Sequence, residues 1–195
     1  MQRIHEHLSR RILVALIVAT ASLFAQSLRA DALDGVLEVR SAYVNVAGGV
    51  FMLHARIEYP DNPAIRDALR DGITLTFELD TRVSRERRFW FDAEVVALTL
   101  RRELAYHAVS ERYVVKDVRS GDQQSYATLE EALKQLGTVD GWPILVEPQL
   151  DGGMYHISVR AGVRRGRLPA SLRALMFWTD DWHRTSEWYS WSLPV

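Results

Sequence analysis

The chain of 195 residues carries 24 basic and 25 acidic side chains, a formal net charge of −1, and no cysteine. The missing cysteine excludes disulfides, thiol nucleophiles, thiolate zinc sites and cysteine-held iron–sulfur clusters. The balanced charge argues against nucleic acid as a partner, because such binding rests on neutralising phosphates.

Arg3, Arg10 and Arg11 precede the apolar run Ile12–Ala25, and small residues follow at Ala25-Gln26-Ser27 and Ala30-Asp31-Ala32. Charged, apolar and small-x-small regions in that order predict a secretory leader over residues 1–30 and a periplasmic or secreted domain over 31–195. A membrane span wants about 20 apolar residues. An uncut leader that anchors the domain on the periplasmic side of the inner membrane is the alternative, because extending the run to Leu28 approaches that length. The leader holds four arginines and one glutamate, net +3, so the whole-chain charge of −1 leaves −4 for residues 31–195. A domain of that size buries about 70% of the surface that its unfolded chain exposes.

After the leader the pattern is mostly period two. Val36–Val46 reads as a strand, Gly48-Gly49 as a hairpin turn, and Val50–Tyr59 as the return strand with Phe51, Leu53, Ala55 and Ile57 on one face. Asn62 as cap, Pro63 at the first position and Gly72 as stop predict a short helix with Ile65, Ala68 and Leu69 on its apolar stripe. Ile73, Leu75, Phe77 and Leu79 then alternate with polar residues, and Arg82–Arg88 reads as a basic turn or strand end. Phe89–His107 predicts one long strand, or two broken by a bulge, and Glu111–Val118 the next.

Thr128 and Glu131 match the capping-box spacing ahead of a helix over Leu129–Leu136, with Gly137 as its stop. Trp142–Glu147 and Met154–Val163 read as strands joined by the turn Asp151-Gly152-Gly153. Leu168-Pro169 opens a turn or helix, and Leu172–Trp178 reads as strand. In the closing strand Glu187–Leu193, Tyr189, Trp191 and Leu193 face one side, with Trp191 expected in the core. Trp188, Ser190 and Ser192 face the other. About nine strands with two short helices predict one domain, mainly β: an antiparallel β-sandwich, with an α+β open antiparallel sheet as the alternative.

Several segments carry a resemblance: Gly72-Ile73-Thr74-Leu75-Thr76-Phe77, Arg88-Phe89-Trp90-Phe91-Asp92, and Leu104–Val109 running into Arg112-Tyr113. Others are Thr128–Leu133, Leu168-Pro169 with Leu172, and the ending Asp181-Trp182 with Ser186-Glu187-Trp188. In this order, from about Val36 to Trp191, the chain resembles the DUF4390 family, exported proteobacterial proteins with no assigned activity. The resemblance implies a leader followed by a β-rich domain. It also implies a loose link to envelope signalling, through neighbouring genes for a membrane sensor kinase. The family has no assigned catalytic residue to carry over.

No spacing points to chemistry. His-x-His and His-Glu-x-x-His are absent, so no metal site is expected; Asp180, Asp181 and His183 form the compact acid–histidine cluster and read as a turn. There is no Gly-x-Ser-x-Gly elbow, and Ser110, Ser158 and Ser186 have no telling neighbours. Asp92 and Glu94 share a strand face but sit beside Arg85, Arg87 and Arg88, which predicts salt-bridged strand ends. Tyr106 and His107 face opposite ways, and one is expected to enter the core.

The remaining signal is arginine beside tryptophan: Arg85, Arg88, Trp90 and Asp92 bracket one strand start, and Trp182 and Trp188 belong to the tryptophans near the C-terminus. Exposed tryptophans mark recognition surfaces, so these six are the candidate binding residues. The expectation is an exported, non-enzymatic binding module of the cell envelope, without cofactor, for an unknown envelope protein or small ligand. A hydrolase whose serine, histidine and carboxylate meet only in space is the alternative.

Overall fold

The structure is a computed structural model that describes residues 35–86, 93–146, 150–166 and 183–195. Strands β1 (Glu38–Ala47) and β2 (Val50–Glu58) form the first hairpin. Its turn residues Gly48 and Gly49 have φ of 59° and 76°, the two positive values that a tight hairpin matched to strand twist requires. Helix α1 (Pro63–Arg70) follows, and the Asn62 side chain accepts the Ile65 amide hydrogen at 2.8 Å. Ile65, Ala68 and Leu69 are its buried stripe.

Next come β3 (Leu75–Arg85), β4 (Ala93–His107), β5 (Arg112–Asp117), β6 (Gln123–Tyr126), helix α2 (Leu129–Leu136) and β7 (Thr138–Val146). Strands β8 (Met154–Arg165), β9 (His183–Thr185) and β10 (Tyr189–Pro194) complete the described elements. They form two antiparallel sheets, neither closed. One has the order β1-β2-β7; the other has seven strands, in the order β10-β8-β3-β4-β5-β6 with β9 also beside β8. The fold is mainly β, as the alternation predicts.

The core forms where the apolar faces of the sheets meet. Leu53, Ala55 and Ile57 of β2, Leu75, Phe77 and Leu79 of β3, and Ile157, Val159 and Ala161 of β8 are all buried. Tyr59 meets the Phe77 ring edge-on at 4.8 Å. Between the sheets, Ile57, Phe77, Leu79, Leu100 and Val139 border a void of about 10 Å³, at or below what one water needs. Each such side chain, fully buried, contributes about 1.5–3 kcal/mol.

Helix α2 joins the sheets at its C-terminus. Thr128 and Glu131 make the reciprocal capping box at its start. At its end the Ile57 amide donates to the Gly137 carbonyl at 2.8 Å, and a Cβ on residue 137 would collide with the Ile57 carbonyl oxygen. Glycine is required there for close approach of two backbones. Arg102 Nη1 of β4 donates to the carbonyls of Gln135, Leu136 and Thr138 at 3.3, 3.4 and 2.9 Å, so one guanidinium caps the end of α2 and holds the start of β7. Sheet edges are blunted by a bulge between Val39 and Ser41 in β1, Pro143 in β7 and Pro194 in β10.

Strand β3 runs through Arg85, so the first part of the basic stretch is a strand end, held extended by its pairing with β4 and β8. Three differences from the sequence reading stand out. Strand β7 starts at Thr138, directly after Gly137, and the short β6 and β9 lack an apolar alternation that would announce them. Neither Tyr106 nor His107 enters the core: Leu104 is the last buried residue of β4, Tyr106 rests 5.0 Å from the Tyr113 ring, and His107 is exposed. Trp191 is half-buried and Tyr189 exposed, since β10 is the outer strand of its sheet. The turn at Leu168-Pro169 and the strand at Leu172–Trp178 lie outside the described residues.

Candidate binding face

The outward face of the seven-stranded sheet is polar and arranged in rows across the strands. In the first row Glu78 of β3 accepts from Arg101 Nε of β4 at 2.8 Å and from Arg164 Nη2 of β8 at 3.0 Å. Desolvation alone would raise the Glu78 carboxyl, but hydrogen bonds from Arg164 and Arg101 outweigh it and hold its pKa below the ordinary value. In the second row Asp80 accepts from Thr99 Oγ1 at 2.9 Å and Arg160 Nη2 at 3.1 Å. The third row holds Arg82, opposite Ser158, and Ser158 shares a 2.8 Å hydrogen bond with Ser190 of β10.

Trp188 sits over the second and third rows. The Arg160 guanidinium carbon lies 4.5 Å, and that of Arg82 4.7 Å, from the centre of its ring. Each such contact contributes about 0.5–1 kcal/mol at an exposed site. The edge strand delivers Trp188 there by an irregularity. Thr185 pairs with Gly162 and Tyr189 with Val159, so the three residues Ser186, Glu187 and Trp188 lie opposite the two residues Arg160 and Ala161. Ser186 bridges the break, donating its amide to the Ala161 carbonyl at 2.8 Å and accepting the Ala161 amide on Oγ at 3.0 Å. An extra residue of this kind re-aims the side chain beside it.

Of the candidate residues named from the sequence, Trp188 belongs to this face. Arg85 is three positions from Arg82 and so points to the opposite side of β3. It pairs with Asp151 at 3.0 Å, donates to the Gly152 carbonyl at 2.9 Å and reaches over the Tyr155 ring, pinning the turn before β8. Arg88, Trp90, Asp92 and Trp182 lie outside the described residues. Glu94 is exposed. Arg82 and Arg160 were missed by the sequence reading. Alternation extended to Arg85 puts Arg82 in line with Glu78 and Asp80, but no local signal connects either arginine to Trp188.

One row further, His156 Nδ1 is 3.3 Å from Ser192 Oγ and its Nε2 is 3.8 Å from Glu86. A serine hydrolase holds nucleophile, base and carboxylate at hydrogen-bond length and adds oxyanion donors. Here the carboxylate is beyond that length and the group lies on an open face. His107 and His183 are exposed.

On the outward face of the other sheet, His54 stacks on Tyr43 with ring centres 4.8 Å apart. Its Nε2 is 3.0 Å from Asn45 Oδ1 and its Nδ1 3.7 Å from Asp140. The hydrogen bond from Arg56 is the main cause that lowers the Asp140 pKa. A polar groove of about 180 Å³ runs between Arg102, Asp117, Gln124 and Gln135. Among the described residues no cluster of three or more histidines and carboxylates could hold a metal, and no helix is long and apolar enough to cross a membrane.

No curated protein and no solved structure matches the chain. A family model does, over residues 35–192, a span that takes in both sheets, both helices and the Trp188 face. The chain therefore belongs to the DUF4390 family, described as a domain of unknown function.

Proposed function

We propose that this chain is an exported, non-enzymatic binding module of the cell envelope that meets its partner on the outward face of the seven-stranded sheet. One observation carries the reading: Trp188, half-buried, is held by Arg82 and Arg160 on an open polar face. A large aromatic fixed in place by its neighbours costs little conformational entropy when a partner covers it, which is why such residues dominate recognition. Arg88, Trp90, Asp92 and Trp182, close in sequence to the ends of β3, β4 and β9, complete the proposed recognition set, whereas Arg85 is held on the opposite side of β3 by Asp151 and Gly152. Export rests on the leader pattern of residues 1–30, with a periplasmic or secreted destination.

A photoreactive residue in place of Ser190, beside Trp188, is expected to capture an envelope component in intact cells, while one in place of Glu130 on α2 is not. Equal yields at both positions would defeat the reading. N-terminal sequencing of the recovered protein tests export: a start at Leu28 or beyond fits a cut leader, Met1 in an inner-membrane fraction fits an anchor, and a cytosolic Met1 refutes both.

His156 favours a second reading, an exported hydrolase with Ser192 as nucleophile and Glu86 as the orienting carboxylate. Labelling by a fluorophosphonate that is lost in Ser192→Ala would support it, and an unlabelled protein decides against it.

A further inference from the structure

Four arginines elsewhere on the surface pair with carboxylates of their own: Arg40 with Glu38 and Glu58, Arg56 with Asp140, Arg66 with Asp61, Arg85 with Asp151. On the outward face of the seven-stranded sheet the balance is different. Arg101 and Arg164 share the single carboxylate of Glu78, and Arg160 uses Asp80. Arg82, which is exposed, has only the Trp188 ring beside it among the described residues. Across these three rows four guanidiniums thus stand with two carboxylates, on a domain whose formal charge is −4 over residues 31–195; Glu86 lies one row further, 3.8 Å from His156.

The excess is also ordered. Glu78, Asp80 and Arg82 are alternate residues of one strand, so their rows are spaced about 7 Å apart along it. An extended peptide projects every second side chain to one side with the same step. Acidic residues at alternate positions of such a segment would meet successive rows, with one carboxylate on the unpaired Arg82 and an aliphatic stem against Trp188. The paired hydroxyls of Ser158 and Ser190 flank that position and can donate to it. A single phosphate spans one row only. The Asp80 row is neutral, while the Glu78 and Arg82 rows each hold one guanidinium beyond their carboxylates, so two carboxylates about 13 Å apart on one extended segment suit the stripe better.

We infer that this face binds an acidic, extended segment of a partner protein, laid along β3 with a carboxylate seated on Arg82 beside Trp188. The inference rests on the binding-module reading and names the partner's chemistry. Electrostatic complementarity of this kind sets register and association rate and weakens with salt.

The test uses the full chain and two labelled peptides, an eight-residue Glu-Thr repeat and its Gln-Thr counterpart, with binding followed by fluorescence anisotropy at low ionic strength. The acidic peptide is expected to bind at least tenfold more tightly and to lose affinity with added salt. Arg82→Gln should weaken it fivefold or more, Arg82→Lys should fall between, and Arg66→Gln on α1 should leave it within twofold. Equal binding of the two peptides, or equal losses in Arg82→Gln and Arg66→Gln, would overturn the inference. So would inorganic phosphate binding at Arg82 as tightly as the peptide, or Arg82-dependent binding to phosphatidylglycerol vesicles with no peptide binding. If the peptide fails while crosslinking at Ser190 still captures a component, the acidic partner is refuted and the binding module survives. Failure of both removes both.

Discussion

The amide hydrogen of Ala161, a fully buried residue of β8, is accepted by the hydroxyl of Ser186 rather than by a carbonyl of the neighbouring strand. The side chain substitutes for backbone where β9 and β10 break, and the break is what turns Trp188 over Arg160. Ser186→Ala therefore leaves a buried donor without its partner, which costs about 1–3 kcal/mol. We expect a lower urea midpoint with an unchanged m-value, and a red-shifted tryptophan emission as Trp188 loses its position. Unchanged stability and emission would show that the Ala161 amide finds another acceptor.

Arg102 ties three backbone carbonyls, two at the end of α2 and one at the start of β7, to β4. Charge-assisted hydrogen bonds are worth about 1.5–3 kcal/mol each when intact, and a cation at a helix C-terminus adds to them. Arg102→Met should destabilise the domain by about 2–3 kcal/mol, and Arg102→Lys by less, since a single ammonium can retain part of the set. Equilibrium denaturation of the two variants checks the ranking; equal losses would mean that a retained charge rescues nothing and that the guanidinium geometry is required.

Thr81 lies on the inward face of β3, and its hydroxyl is buried without a hydrogen-bond partner among the described residues. Valine has nearly the same shape without the group that must be desolvated. Thr81→Val is expected to be stabilising by up to about 1 kcal/mol, read as a rise in Tm. A drop in Tm would reveal an acceptor for that hydroxyl.

Glu78 links stability to pH. Its carboxyl is favoured in the ionised form by Arg164 and Arg101, so near and below the ordinary value of 4.5 the folded chain binds fewer protons than the unfolded one. Stability should be level from neutral pH down to about that value and fall as the pH drops through the lower folded pKa. Glu78→Gln is expected to be less stable at pH 7 and to decline less steeply in acid, with the residual slope in part from Asp140, whose pKa is lowered in the same sense. Urea midpoints between pH 3 and 7 measure both slopes, and parallel curves would remove Glu78 as a source.

Local patterns carried much of the architecture. Alternation in Phe51–Ile57 and Leu75–Leu79 identified which faces are buried, because side chains in a strand project to opposite sides whatever the strand pairs with. The caps Asn62 and Thr128 marked both helices, since a helix terminus exposes the same unpaired amides in any fold. The pairing of β3 with both β4 and β8, the break that leaves Trp188 over Arg160, and the meeting of Arg82 with a ring more than a hundred positions away depended on tertiary structure. Register between distant strands is chosen by the joint burial of many side chains, a property of the assembled sheet that no single segment contains.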